Sequence, residues 1–301
     1  MKVRIVSGLI GSAFLIAALL APPSILMLVV LAASLLAILE FRQAVQSVSR
    51  TVDPAVAMLM TFMLVGNSRY GNTAIAEDIR SLVASWNTGN ATFWQAGVDA
   101  LAWCFSGSAV RVVAFACIAW LFGRLIFQND AFHLDDLAMT LTGVLYIPFL
   151  MSFVAQVRSM EHGAWLIWCI VIGAVITDTA AYFVGVTLGR HKLLPKVSPK
   201  KTVEGAIGGV VGSTLAMLVF GFIVPAQVQA VVPWYHFLIL GILCGVVSQL
   251  GDWSASAIKR SAGIKDFGKL IPGHGGMLDR IDSILFVGPV VYLYLQAVVG
   301  L

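Results

Sequence analysis

Long apolar runs alternate with short polar breaks along almost the whole chain. A membrane-crossing helix needs about 20 mostly apolar residues. The pattern predicts about nine, at 5–21, 23–40, 54–67, 108–127, 137–156, 164–187, 205–225, 235–253 and 283–300. The third is the shortest. Pro22-Pro23 separates the first two, because proline breaks a helix interior but suits a first turn. No internal repeat or low-complexity tract interrupts the pattern. The expectation is an all-α, polytopic integral membrane protein.

Composition narrows the class further. Hydrophobic residues make up 59% of the 301 residues and charged residues only 11%, against about 25% charged in a soluble domain. The mean hydropathy is +0.92. The net charge of +4 does not point to nucleic acid, because the cations gather at a few membrane-flanking sites. Cys104, Cys117, Cys169 and Cys244 all fall in apolar runs without CxxC spacing, so they read as packing residues. Met1-Lys2-Val3-Arg4 and the apolar run behind it imitate a signal peptide. The many later spans favour an uncleaved first helix.

The positive-inside rule then gives one orientation. The loop at 188–204 holds Arg190, Lys192, Lys196, Lys200 and Lys201; the loop at 254–282 holds Lys259, Arg260, Lys265, Lys269 and Arg280. Both loops belong in the cytoplasm, the uncharged 226–234 segment outside, and the N-terminus inside. The expected organisation is a transmembrane scaffold over 1–160, with an external polar segment near 68–107. A catalytic transmembrane region follows over 161–301.

Charge beside a bilayer is costly and asks for a reason. Asp178 sits inside the sixth span, where it is either functional or a packing acid. Ser198-Pro199-Lys200-Lys201-Thr202-Val203-Glu204 precedes the seventh span. It suits phosphate at a helix start, or serves as an anchor touching only lipid headgroups. If the eighth span continues, Asp252, Ser256 and Lys259 with Arg260 recur on one helical face. Asp279 and Asp282 share a face at the start of the ninth. With Asp252 they would offer hard oxygen ligands to Mg²⁺. Between them, Gly273-His274-Gly275-Gly276 is a loop whose N–H groups can approach an anion closely. His133, Asp135 and Asp136 read as acids favouring a helix start, and Arg111 as a snorkelling cation. Asn90-Ala91-Thr92 is a lone glycosylation match.

These residues resemble a known signature. Ser256, Lys259-Arg260, Lys265-Asp266, Gly268, Ile271-Pro272-Gly273-His274-Gly275-Gly276, Asp279-Arg280 and Asp282 have the spacing of phosphatidate cytidylyltransferases, without a gap. Asp178-Thr179-x-Ala181-Tyr182, Ser198 to Gly205, and Ser248-Gln249-x-Gly251-Asp252 also look like that family, in the expected order. The likeness covers about 140–301. It implies a cytoplasm-facing site, often in a homodimer of the inner (plasma) membrane, that joins CTP to phosphatidic acid with Mg²⁺. CDP-diacylglycerol and pyrophosphate are the products. By this resemblance Asp252 and Asp279 bind Mg²⁺, and Lys200, Lys201, Lys259, Arg260 and Arg280 hold phosphates. His274, Gly275 and Gly276 shape the nucleotide loop. Ser198, Thr202, Glu204, Ser256, Lys265 and Asp266 complete the substrate site, with Asp178 and Asp282 as further ligands or support. Other expectations compatible with the charges are a CTP-using polyprenol kinase or archaeol-type cytidylyltransferase, and an anion transporter with intramembrane acids.

Overall fold

The computed structural model describes residues 2–67, 107–128, 130–270 and 275–301. The external segment expected near 68–107, apart from Gly107, lies outside the described residues, as do the Asn90 sequon, Cys104 and His274. The described chain is helical apart from a short ribbon. Its elements are α1 (Lys2–Leu20), α2 (Pro23–Gln46), α3 (Pro54–Gly66), α4 (Gly107–Phe127), α5 (Leu134–Arg158) and α6 (Gly163–Thr187). Strands β1 (Lys192–Leu194) and β2 (Ser198–Thr202) follow, then α7 (Val203–Ile223), α8 (Ala226–Val231), α9 (Trp234–Ser261) and α10 (Leu278–Val299). Among the described residues seven helices are long and apolar enough to cross a membrane: α2, α4, α5, α6, α7, α9 and α10. The chain is an all-α, polytopic membrane protein.

Three expectations change. The third span is a helix of only 13 residues, about 20 Å long at 1.5 Å per residue; a hydrocarbon core is about 30 Å thick. The loop at 188–204 contains an antiparallel ribbon, with Lys192 opposite Thr202 and Leu194 opposite Ser198. Helix α9 runs two turns beyond the predicted end at 253, to Ser261, so it carries Asp252, Ser256, Lys259 and Arg260 on continuous helix.

The residues form two compact units, Phe14–Ser159 and Met160–Leu301 with Met1–Ala13. In the first, Val56 and Met60 of α3 pack with Cys117 and Leu121 of α4 and with Phe132, Leu137 and Val144 around α5. Pro148 lies in a π turn of α5 at Leu145–Phe149, because proline lacks the N–H that a regular helix needs there. One buried ion pair ties this unit's polar ends. Asp53 caps α3 by accepting from the N–H groups of Ala55 and Val56, both at 3.0 Å. Its other oxygen accepts from Arg124 at 2.6 Å and the Trp120 indole at 3.2 Å. Burial alone would raise the Asp53 carboxyl; the Val56 N–H, Arg124 and Trp120 outweigh it and hold it below its ordinary value. Asp136 accepts from the N–H of His133 at 2.8 Å and of Thr51 at 2.7 Å, while Asp135 pairs with Arg50 at 2.5 Å. The acids at 135–136 therefore tie the α2–α3 linker to the start of α5.

The second unit is built on close helix contacts. Without a hydrophobic force between helices in lipid, small residues let backbones approach and dispersion hold them. A Cβ at Gly245 of α9 would lie 2.8 Å from Cα of Val210 in α7, and one at Gly212 of α7 would run into Ala180 of α6. Gln249 ties α9 to α7 by donating to the carbonyl of Ala206 at 3.1 Å. Cys169 and Cys244 are buried free thiols here, as Cys117 is in the first unit. The outer faces of α6 and α7 stay apolar and exposed, with Phe183, Ile207 and Leu215 among their residues.

Gly245→Val should lower the unfolding temperature in detergent or abolish a monodisperse preparation, since a branched side chain would meet backbone at about 1–3 kcal/mol or more. Asp53→Asn keeps the cap but removes the charge. It should cost about 2 kcal/mol, less than the 3–5 kcal/mol of a fully buried pair because Arg124 is partly exposed. The depressed Asp53 carboxyl stabilises fully above the unfolded value, near pH 4, and loses that contribution as pH falls through the lower folded value. Acid unfolding curves of the Asn variant should lack this component.

Candidate active site

The site begins with a backbone contact. A Cβ at Gly251 would stand 2.5 Å from the carbonyl oxygen of Asp282, so only glycine allows α9 and α10 to touch there. That contact puts Asp252, the next residue on α9, beside the first turns of α10. Asp178 joins from α6. It follows a π turn at Ile172–Ile176, which inserts an extra residue and turns the helix face beyond it. The Ser283 hydroxyl lies 3.2 Å both from Oδ2 of Asp178 and from the Ser248 carbonyl, so it bridges three helices. Asp178, Asp252 and Asp282 are near enough to act on one another electrostatically, with Lys201, Lys259 and Arg280 as neighbouring cations. Oδ1 of Asp178 is buried with no hydrogen-bond partner.

The signature loop is held by one carboxylate. Oδ2 of Asp279 accepts from the N–H of Gly276 at 3.0 Å and of Phe267 at 2.9 Å, while Oδ1 pairs with Lys259 Nζ at 2.7 Å. Both partners are nearly buried, with 5% of the Asp279 side chain and 12% of the Lys259 side chain exposed. Gly275 has φ of +84° with Asp279 Oδ2 tight against it, a conformation that glycine adopts without strain. Lys259 also lies over the Phe267 ring, 5.4 Å from its centroid.

The ribbon supplies the third part. Thr202 caps α7 by accepting from the Gly205 N–H at 3.1 Å. Glu204 in the first turn closes the base of the ribbon. It accepts from the N–H of Arg190 at 3.0 Å and of His191 at 3.2 Å, and meets His191 Nδ1 at 2.6 Å. Lys201 is thereby carried to Asp252, with which it forms an ion pair. Arg260 donates to the carbonyls of Val197 at 3.4 Å and Ile264 at 3.3 Å, tying the end of α9 to the ribbon's turn.

The predicted residues thus divide by position. Asp178, Lys201, Asp252, Lys259, Asp279, Arg280 and Asp282 gather around the α6, α9 and α10 junction. Ser256 lies one turn beyond Asp252, half-buried. Lys200, Arg260, Lys265 and Asp266 are exposed, and Ser198 stands on β2. Thr202, Glu204 and Gly276 make structural bonds within the site. Ser283 was missed, although it directly follows the quoted Asp282; a serine inside an apolar helix start carries no distinctive pattern. Among the described residues no three His, Cys, Asp or Glu side chains form a ready metal cage. The donors are nonetheless hard oxygens on fixed helices, and one buried oxygen, Asp178 Oδ1, is without a partner. This suits Mg²⁺, which takes one or two carboxylates and completes its shell with water and substrate phosphates. Chemically, the junction offers paired cations and acids that can trade each other for an anionic ligand.

Known proteins resemble this chain in sequence. Residues 75–298 match the cytidylyltransferase family. A phosphatidate cytidylyltransferase of Bacillus subtilis is 36% identical over 191 residues, 62% of this chain and 68% of the relative. One from Mycobacterium bovis is 38% identical over 154 residues, 51% of this chain but only 48% of the relative. One from Staphylococcus saprophyticus is 34% identical over 197 residues, 65% of this chain and 73% of the relative. With the match spanning most of its length and including every element of the charged junction, the chain belongs to the cytidylyltransferase family.

Proposed function

We propose that this protein is a phosphatidate cytidylyltransferase, transferring CMP from CTP to phosphatidic acid in phospholipid biosynthesis. A phosphate oxygen of the lipid attacks the α-phosphorus of CTP. The new P–O bond forms as the α–β bridging bond breaks, and pyrophosphate leaves. Two anions must be brought together, so the protein's task is charge neutralisation and alignment.

The observation that carries this reading is the pair of lysine–carboxylate contacts, Lys201 with Asp252 and Lys259 with Asp279. In the structure each lysine neutralises an acid. When substrates bind, the lysines turn to phosphate oxygens, and Arg260 and Arg280 add charge. The released carboxylates of Asp252 and Asp279 would hold Mg²⁺, which neutralises phosphate charge and polarises the α-phosphorus when bound. Asp178 and Asp282 support that site from α6 and α10. Gly275 and Gly276 line the nucleotide side, and the family resemblance assigns His274 to the nucleotide as well. Ser198, Lys200, Lys265 and Asp266 border the approach, and Ser256 extends the Asp252 face of α9.

The orientation in this reading has the N-terminus and the segments 188–204 and 254–282 in the cytoplasm of a multi-pass plasma (inner) membrane protein. Charge bias supports it. Family resemblance supports a homodimer. The segment 1–160 acts as scaffold and 161–301 carries the chemistry.

With α-labelled CTP, phosphatidate and Mg²⁺, label should enter the lipid phase with pyrophosphate release, and EDTA should stop it. Lipid labelled only from γ-labelled CTP would mark a kinase instead. Asp252→Asn should cut turnover by at least about a hundredfold, with abundance and unfolding temperature unchanged. A fully active Asn variant removes Asp252 from the metal site.

A further inference from the structure

The ribbon that carries Lys201 is small for the task it performs. Its strands are three and five residues long, and a lone two-stranded hairpin is marginal in water. Lys201 nevertheless reaches Asp252 on α9. Burial holds this pair less than it holds the other. Of the side chains, 29% of Lys201 and 23% of Asp252 are exposed, against 12% of Lys259 and 5% of Asp279. The place of Lys201 therefore depends on how firmly the base of the ribbon is fixed.

Close packing sets one side of that base. A Cβ at Gly189 would lie 2.8 Å from the Thr202 side chain, and one at Gly205 would lie 2.8 Å from the Ala181 carbonyl oxygen of α6. His191 supplies the other side. Its carbonyl accepts from the Val203 N–H at 3.0 Å, and its Nδ1 lies 2.6 Å from Oε1 of Glu204. An ionised carboxylate only accepts, so Nδ1 is the donor. Oε2 of Glu204 accepts from the N–H groups of Arg190 at 3.0 Å and His191 at 3.2 Å. Both oxygens are engaged, so the carboxylate cannot turn without losing a bond. The His191 side chain is 79% exposed, and an exposed pair adds little to global stability. What the bond can do is select one geometry for the ribbon, three residues from Lys201.

We propose that His191 is a positioning residue: its imidazole, through Glu204, fixes the base of the ribbon and so holds Lys201 at Asp252. The assignment rests on the reaction proposed above for its effect on turnover, but not for its effect on Lys201. It also separates the two lysines. Lys259 is placed by α9 and by Asp279, which is held in turn by the Phe267 and Gly276 N–H groups. Loss of the imidazole should therefore free Lys201 and leave Lys259 as it was.

The test is the rate at which an amine-acylating succinimidyl ester modifies each lysine of the full chain in detergent, read by peptide mass spectrometry. A lysine held on a carboxylate reacts slowly, and a released one reacts faster. His191→Ala removes the ring, and His191→Phe keeps a ring but removes the donor. Each should raise the acylation rate of Lys201 at least about threefold and change that of Lys259 by less than about 1.5-fold, with the unfolding temperature unchanged. His191→Asn places an amide N–H near the position of Nδ1 and should restore the slow rate at Lys201. In the label-transfer assay, kcat/KM should fall about tenfold in the Ala and Phe variants and recover in the Asn variant. An unchanged rate at Lys201, an equal rise at Lys201 and Lys259, or no recovery with Asn overturns the assignment. If α-label never reaches phosphatidate, the reaction falls, while the acylation rates still decide the role of His191. If label transfer proceeds and Lys201 reacts in the Ala and Phe variants as in wild type, only the positioning role falls.

Discussion

An acid among membrane helices persists only if something meets its charge, because lipid offers neither water nor counter-ions. In this protein the answer is a set of lysine–carboxylate pairs. Lys201 on the ribbon pairs with Asp252 on α9, and Lys259, two turns further along the same face of α9, pairs with Asp279 on α10. The pairs make the site's charge tolerable beside the bilayer. They also hold the site's cations in defined positions. In the proposed reaction an anionic substrate would compete with a carboxylate already in position, and the freed carboxylate would be available to a divalent ion. Preorganisation of this kind limits the reorganisation left to the reaction itself.

Glycine contacts place these charges. Gly251 lets α9 touch the backbone of α10 at Asp282, and Gly245 and Gly212 close the α9–α7 and α7–α6 contacts. These approaches put three acids from three helices within electrostatic reach of each other. The Ser283 hydroxyl sits at the centre, between Asp178 and the Ser248 carbonyl. Larger residues along these contacts would separate the helices and, with them, the charges. Stability and chemistry therefore depend on the same positions. In the other unit, the Asp53–Arg124 pair joins a helix cap to α4.

Much of this was legible in the amino-acid order. Hydropathy located the long helices, because each apolar run is bounded by charge or proline. It failed at 54–67, where an apolar run broken only by Thr61 forms a helix of 13 residues, too short to cross. The signature residues were legible as a group because their types and spacing are unusual together. Their partners were less so. The ribbon at Lys192–Thr202 was read as loop because its lysines and prolines show no alternating apolar pattern, and Glu204, which closes it, looks like any first-turn acid. The π turn that precedes Asp178 has no sequence mark, since Gly173 and Ala174 suit a regular helix as well. Asp279 was read only as a metal ligand. The structure shows that it also holds the loop through the N–H groups of Phe267 and Gly276, bonds that side-chain spacing cannot reveal.

The exchange of partners is the centre of this account, and a structure of the full chain with Mg²⁺ and a non-hydrolysable CTP analogue tests it most directly. The expected result has Lys259 Nζ on a phosphate oxygen, with the carboxylates of Asp252 and Asp279 on the metal and the Gly276 N–H still donating to Asp279. Nucleotide bound with both lysine–carboxylate pairs intact would contradict it.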